Sequence, residues 1–149
     1  PRFRKICNML DAASYMFDLD DSETGKYLKI SYEDIANRLE KIKDKRYDYI
    51  FTHGNDGEYG HIRHKQVSQA VSKMIKEEKL KCKFLYNFSY EKKDGFSFAN
   101  KNAEKYIRLE SKEFEEKKSL ITNVYGFEKG SFEEVCAGDA EAFSISEIK

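Results

Sequence analysis

Three glycines and all three histidines of this 149-residue chain fall within residues 53–64, and that stretch separates two segments of opposite periodicity. Before it, residues 47–52 (YDYIFT) form an aromatic and β-branched run of strand length. After it, residues 62–78 set Val67, Ala70, Val71, Met74 and Ile75 at the three- and four-residue spacing of a helix with one apolar face. A strand that leaves through a glycine-rich loop into a long amphipathic helix must lay that helix back across a sheet. The chain is therefore directed toward a layered α/β domain.

The same alternation extends to both sides. Residues 4–13 read as helical, with Ile6, Met9, Leu10 and Ala13 on one face, and residues 15–19 as a short strand closed by Asp20 and Asp21. Ser31 is placed to cap a helix whose stripe is Tyr32, Ile35, Ala36, Leu39 and Ile42, with Asp34 at the third position of a capping-box-like arrangement. Residues 82–88 (CKFLYNF) read as a further strand, 92–95 as a turn, 102–121 as a helix and 142–145 as a last short strand. Glu110 interrupts the apolar stripe of that helix, either at its rim or as a buried acid. Helices of this length between strands predict mostly parallel pairing. No internal repeat, low-complexity tract or linker divides the chain, so residues 1–149 are read as a single domain.

Composition narrows the function classes. Hydrophobic residues make up 40% of the chain, enough for a core, and 27 basic residues balance 27 acidic ones. A neutral chain lacks the long-range positive field that draws proteins onto nucleic acid or anionic lipid, so neither is expected as a partner. No apolar run approaches the roughly 20 residues of a membrane span. Cys7, Cys82 and Cys136 are odd in number and show no Cys-x-x-Cys spacing, which predicts reduced thiols and a cytoplasmic protein. Tyr47, Tyr49, Tyr86 and Tyr90 are expected in the core or at its edge, with stacking on a sugar ring as the other use of such aromatic faces.

The loop is where chemistry concentrates. Ligands of open α/β sheets commonly sit at the junction of a strand end and a helix start, and glycines 54, 57 and 60 permit sharp turns and close backbone approach. His61 and His64 are three residues apart, and continuing the period from His64 reaches Val67 and Val71, so His64 is expected to point inward. An inward imidazole there suits a metal, and His61 nearer the rim suits proton transfer or stabilisation of negative charge. Helix capping and ordinary hydrogen bonding are the plainer uses of the same histidines. A helix start also attracts phosphate, but the loop carries neither Gly-Lys-[Ser/Thr] nor G-x-G-x-x-G.

Read in full, Thr52-His53-Gly54-Asn55-Asp56-Gly57-Glu58-Tyr59-Gly60-His61-Ile62-Arg63-His64-Lys65 resembles the second signature of the PIG-L/LmbE-like N-deacetylases, where the loop reads T-H-N-P-x-G-E-Y-G-H-x-x-H before a long helix. The segment ending at Asp21, and the late Lys118, Tyr125-Gly126-Phe127 and Glu141-Ala142-Phe143, resemble the flanking parts of that family. The resemblance implies a Rossmann-like layered domain and a zinc-dependent amidase that removes acetyl groups from N-acetylglucosamine-type sugars or glycoconjugates. It makes His64 the metal ligand, His61 the histidine that stabilises or protonates the intermediate, and Tyr59 the group that polarises the amide carbonyl. Asp21 becomes a sugar-hydroxyl contact, with Asp20 as its alternative.

One departure limits that assignment. The family's first motif, His-Pro-Asp-Asp-Glu, supplies a His and an Asp to the metal, yet here no histidine precedes His53 and the only proline is Pro1. A catalytic zinc takes three protein ligands, so His64 alone is expected to hold it poorly. Two readings follow. The sequence is an N-terminally truncated piece of an active enzyme, lacking the first strand with its motif, as Pro1 and the missing Met favour. Alternatively it is a catalytically incomplete relative serving as a glycan-binding or scaffold module, in which His53, Asp56 or Glu58 would recruit a metal in a new arrangement. A phosphate- or nucleotide-sugar-binding α/β protein is the third and weakest reading.

Overall fold

The computed structural model describes residues 2–19, 32–42 and 45–148. In chain order these residues form α1 (Arg2–Met9), α2 (Tyr32–Leu39) with a 3-10 turn at Glu40–Ile42, β1 (Arg46–Thr52), α3 (Ile62–Lys76), β2 (Lys81–Phe88), β3 (Tyr90–Lys93), β4 (Phe96–Ala99), β5 (Lys105–Arg108), α4 (Ser111–Ser119) continued by a π-helical turn at Leu120–Tyr125, α5 (Phe132–Cys136) and β6 (Ala140–Glu147). Among them no helix is long and apolar enough to cross a membrane.

The expected strand–loop–helix unit is present as β1, the loop and α3. Because α3 carries the chain back along the sheet, β1 and β2 pair in parallel, with Ile50 opposite Leu85 and Thr52 opposite Asn87. The apolar stripe of α3 is buried as its spacing requires. Val71, Met74 and Ile75 pack with Leu80, Cys82 and Leu85, and Tyr32, Ala36 and Leu39 of α2 close over them. Met74 is 1% exposed and marks the centre of this core.

The rest of the sheet departs from the expectation. Its order is β1-β2-β6-β5, and β6 runs antiparallel to both β2 and β5. The fold is mixed α/β with a mixed sheet, in which β1–β2 is the one parallel pair among the described residues. The difference arises in residues 102–121, read above as one helix. Residues 105–108 instead pair with β6, Tyr106 lying opposite Ala142 and Ile107 opposite Glu141. The helix is delayed to Ser111 because Glu110 stands at its N-cap and Glu113 reaches back to accept the Glu110 backbone N–H at 2.8 Å. Glu110 is thus a cap and not an interruption of a stripe.

One further expectation is revised and another is borne out. Residues 12–19 form no regular structure, so the short strand over 15–19 is absent, and Tyr15, Met16 and Phe17 are exposed. The turn at 92–95 closes a hairpin, β3 with β4, through Asp94 and Gly95, both at positive φ as a tight two-residue hairpin turn demands. The cap expected at Ser31 and the sugar contact expected at Asp21 or Asp20 lie outside the described residues.

One face of the sheet is aromatic. Tyr49 and Phe51 of β1 meet Phe84 and Tyr86 of β2, and Phe51, Tyr86 and Phe88 meet Phe143 of β6, with ring centroids 4.8–5.9 Å apart. This ladder runs toward the end of β1 from which the histidine loop departs.

Candidate functional site

The loop is folded tightly by its glycines. Gly57 and Gly60 adopt φ of +71° and +94°, a left-handed backbone that side chains other than glycine rarely occupy. Gly54 serves another purpose, since a Cβ there would lie 2.3 Å from the Phe88 carbonyl oxygen. Side chains from α3 and β2 pin the loop. Ser68, fully buried, donates to Asn55 Oδ1 at 3.1 Å, and Asn87 donates to the His53 carbonyl at 2.9 Å.

Glu58 lies at the centre. It is a non-glycine residue at φ +57°, a conformation costing about 1–2 kcal/mol that turns its side chain back into the loop. Its Oε1 accepts the Gly54 N–H at 2.7 Å, while Oε2 lies 3.2 Å from His53 Nδ1 and 2.5 Å from His64 Nδ1. Only 10% of the side chain is exposed. Burial by itself would raise the Glu58 carboxyl, but the hydrogen bonds from His53, His64 and the Gly54 N–H outweigh it and hold the group at about 2. The site therefore keeps a buried carboxylate between two imidazoles.

Those three side chains are placed as a group that could hold a metal ion. One donor atom from each of His53, Glu58 and His64 lies within 4.8 Å of the others. Two imidazoles and one carboxylate suit a catalytic transition-metal site of zinc type, so the residues present fit the ion that the resemblance implies. The sequence reading takes His64 as the ligand and gives His53, Asp56 or Glu58 as the residues of an alternative arrangement; the fold brings His53 and Glu58, but not Asp56, into the group with His64.

His61 and Tyr59 border this group. His61 is the N-cap of α3, with extended φ −62° and ψ 127°, and its ring centroid lies 4.7 Å from that of His64. Tyr59 packs edge-on to His64 at 5.2 Å and lies 5.6 Å from His61. The structure thus brings together Tyr59, His61 and His64, and adds His53 and Glu58. His64 is half-buried.

Beyond Glu58 and Tyr59 opens a cleft of about 490 Å³ whose walls include Phe88, Phe132, Phe143 and Ile121. Two larger cavities, about 560 and 800 Å³, touch neither a histidine nor Glu58. One wall of the cleft holds a polar group that sequence reading did not identify as a unit. Tyr90 donates to Glu141 Oε2, and Lys117 donates to Glu141 Oε1 at 2.5 Å and to the Gly138 carbonyl at 3.0 Å. Burial, reinforced by the hydrogen bond to Glu141, pushes the Tyr90 phenol well above its ordinary range. Lys118, singled out by the resemblance, instead pairs with Glu134 across α5.

No family model, curated protein or solved structure matches this chain.

Proposed function

We propose that this protein is a metal-dependent amide hydrolase, an N-deacetylase acting on N-acetylglucosamine-type sugars or their conjugates. The observation that carries this reading is the convergence of His53, Glu58 and His64 within 4.8 Å at the end of β1, beside a cleft. The loop's resemblance to the PIG-L/LmbE-like signature supplies the reaction class. His53, Glu58 and His64 hold the ion, and zinc, when bound, supplies Lewis acidity. Tyr59, on the cleft wall, is the hydrogen-bond donor for the amide carbonyl as charge develops on its oxygen. His61, beside Tyr59 and His64, is the group that delivers a proton to the departing amine. A Rossmann-like layered sheet belongs to the same reading, and it is supported by the parallel β1–β2 pair joined through α3. A cytoplasmic location goes with it, supported by three cysteines without a disulfide.

One observation favours a second reading. Glu58 accepts from the Gly54 N–H and meets His53 and His64 Nδ1, so the cluster is also satisfied as a hydrogen-bonded staple. On that reading the chain is a catalytically incomplete relative acting as a glycan-binding or scaffold module. Metal analysis with an acetate-release assay on N-acetylglucosamine and its conjugates separates the two. The hydrolase reading expects one zinc per chain, acetate release lost with EDTA and restored by zinc, and both properties lost in His64→Ala. A chain that retains no metal and releases no acetate belongs to the second reading.

A further inference from the structure

We infer that the aromatic cleft beside Glu58 and Tyr59 binds an apolar group carried next to the scissile amide, so that the substrate is an amino-sugar amide bearing an alkyl or aryl group and not the bare N-acetyl sugar. The inference takes the position of the amide from the hydrolase reading above; the rest comes from the cleft itself. Phe88, Phe132, Phe143 and Ile121 give it apolar walls, and Phe132 is fixed there by Tyr59 at 5.0 Å and Phe96 at 6.1 Å between ring centroids. At about 490 Å³ it lies in the size range of small-molecule sites. A bare sugar carries hydroxyls around its whole ring, and each one buried against such walls without a partner is costly. An alkyl or aryl group gains free energy from the same burial.

The polar atoms of the cleft point the same way. Lys117, Glu141 and Tyr90 bind one another, so this wall is already internally paired. Ser97 differs. It lines the cleft, is 3% exposed, and its Oγ has no hydrogen-bond partner, while its backbone N–H donates to Cys136 Sγ at 3.3 Å. Buried hydroxyls are nearly always paired, so this one marks a place for a single ligand oxygen or nitrogen in an otherwise apolar, open cleft. A mostly apolar group with one polar atom near the amide satisfies both features.

The apolar group can hang from the acyl side of the amide or from the sugar side, and the test separates the two. Calorimetric binding to the EDTA-treated full chain is measured for N-acetyl- against N-hexanoylglucosamine, and for methyl against hexyl glycosides of N-acetylglucosamine. At least one series is expected to gain about tenfold or more in affinity with the longer chain, and that series identifies the side. Ile121→Trp, which fills the cleft from its half-buried rim, is expected to abolish the gain. Ser97→Ala is expected to weaken the longer ligand about threefold or more while leaving the melting temperature unchanged or higher, because it removes an unpaired hydroxyl. No gain in either series, or a gain that survives Ile121→Trp, overturns the assignment; unchanged affinity in Ser97→Ala removes the part given to that hydroxyl. Zinc content is measured in parallel on untreated protein. Metal without a chain-length gain defeats the cleft assignment alone, whereas a gain without metal leaves the cleft standing and defeats the hydrolase reading.

Discussion

The imidazole rings of His53 and His64 stack with centroids 3.8 Å apart and planes 11° from parallel, and both Nδ1 atoms approach the same oxygen of Glu58. His53 directly follows β1 and His64 lies in the first turn of α3, so the carboxylate between them ties the strand end to the helix start. Glu58→Gln keeps the shape but removes the charge. It leaves a buried site with donors facing the amide group, at a cost of about 1–3 kcal/mol. The expected result is a lower denaturation midpoint and, on the proposed hydrolase reading, a loss of zinc affinity of at least about tenfold. Chemical denaturation and a competitive zinc titration measure the two effects. Full zinc affinity in Glu58→Gln would show that the carboxylate neither binds the ion nor orients its ligands.

The loop can also be disturbed without touching a ligand. A Cβ at Gly54 meets the Phe88 carbonyl oxygen at 2.3 Å and Asp56 Oδ1 at 2.8 Å, and the Gly54 N–H is committed to Glu58. Gly54→Ala must therefore shift the loop away from β2, costing about 1–3 kcal/mol as an overpacked site. Gly138→Ala is the control, since its Cβ meets nothing within 4 Å. Thermal melts should show Gly54→Ala well below wild type and Gly138→Ala close to it, and zinc binding should weaken in the first variant only. Equal melts would mean that the close approach to Phe88 is not held in solution.

How much of this is legible from residues alone varies with the range of the interaction. The α3 stripe from Val67 to Ile75 and the strand at 47–52 are local patterns, and the structure places them as their periods require. The extent of the last helix is not local. Residues 105–108 become a strand because β6, more than thirty residues later, offers them a partner, and no window around Ile107 contains that information. The site divides in the same way. Crowding of histidines and glycines marks the loop, but positions 53, 58 and 64 share no helical or strand period. They meet only because Glu58 adopts a left-handed backbone and turns inward. Tyr90, Lys117 and Glu141 come from β3, α4 and β6, and only the assembled sheet brings them together.

Tyr90 provides a prediction at alkaline pH. Burial and the Glu141 hydrogen bond raise its phenol above the ordinary value of 10.0, so the fold favours the neutral form. A group whose folded value is raised contributes stability that is complete below its unfolded value and is lost as pH rises above it. Wild-type stability should therefore fall on raising pH from about 10, because the unfolded chain releases a proton that the folded chain retains. Tyr90→Phe should show a shallower decline over that window, with little difference in slope between pH 7 and 9. Urea midpoints across the series measure this, and parallel curves above pH 10 would place the Tyr90 hydroxyl in contact with solvent.

The Lys117–Glu141 pair tests whether the cleft wall acts as one unit. The two side chains are 23% and 24% exposed, so their attraction falls between that of a solvated surface pair and that of a buried one. Lys117→Met leaves Glu141 with the Tyr90 hydroxyl but no cation. Glu141→Gln leaves the Lys117 ammonium on the Gly138 carbonyl and weakens the acceptor for Tyr90. Each single change strands a half-buried charge, whereas the double change removes both charges together. The double variant should then be less destabilised than the sum of the singles, with a coupling of about 1 kcal/mol. Urea denaturation of the four proteins at pH 7 gives the cycle, and repeating it in 1 M salt should reduce the coupling only in part, because the pair is partly shielded from solvent. Additivity to within about 0.3 kcal/mol would show that the ion pair contributes nothing of its own.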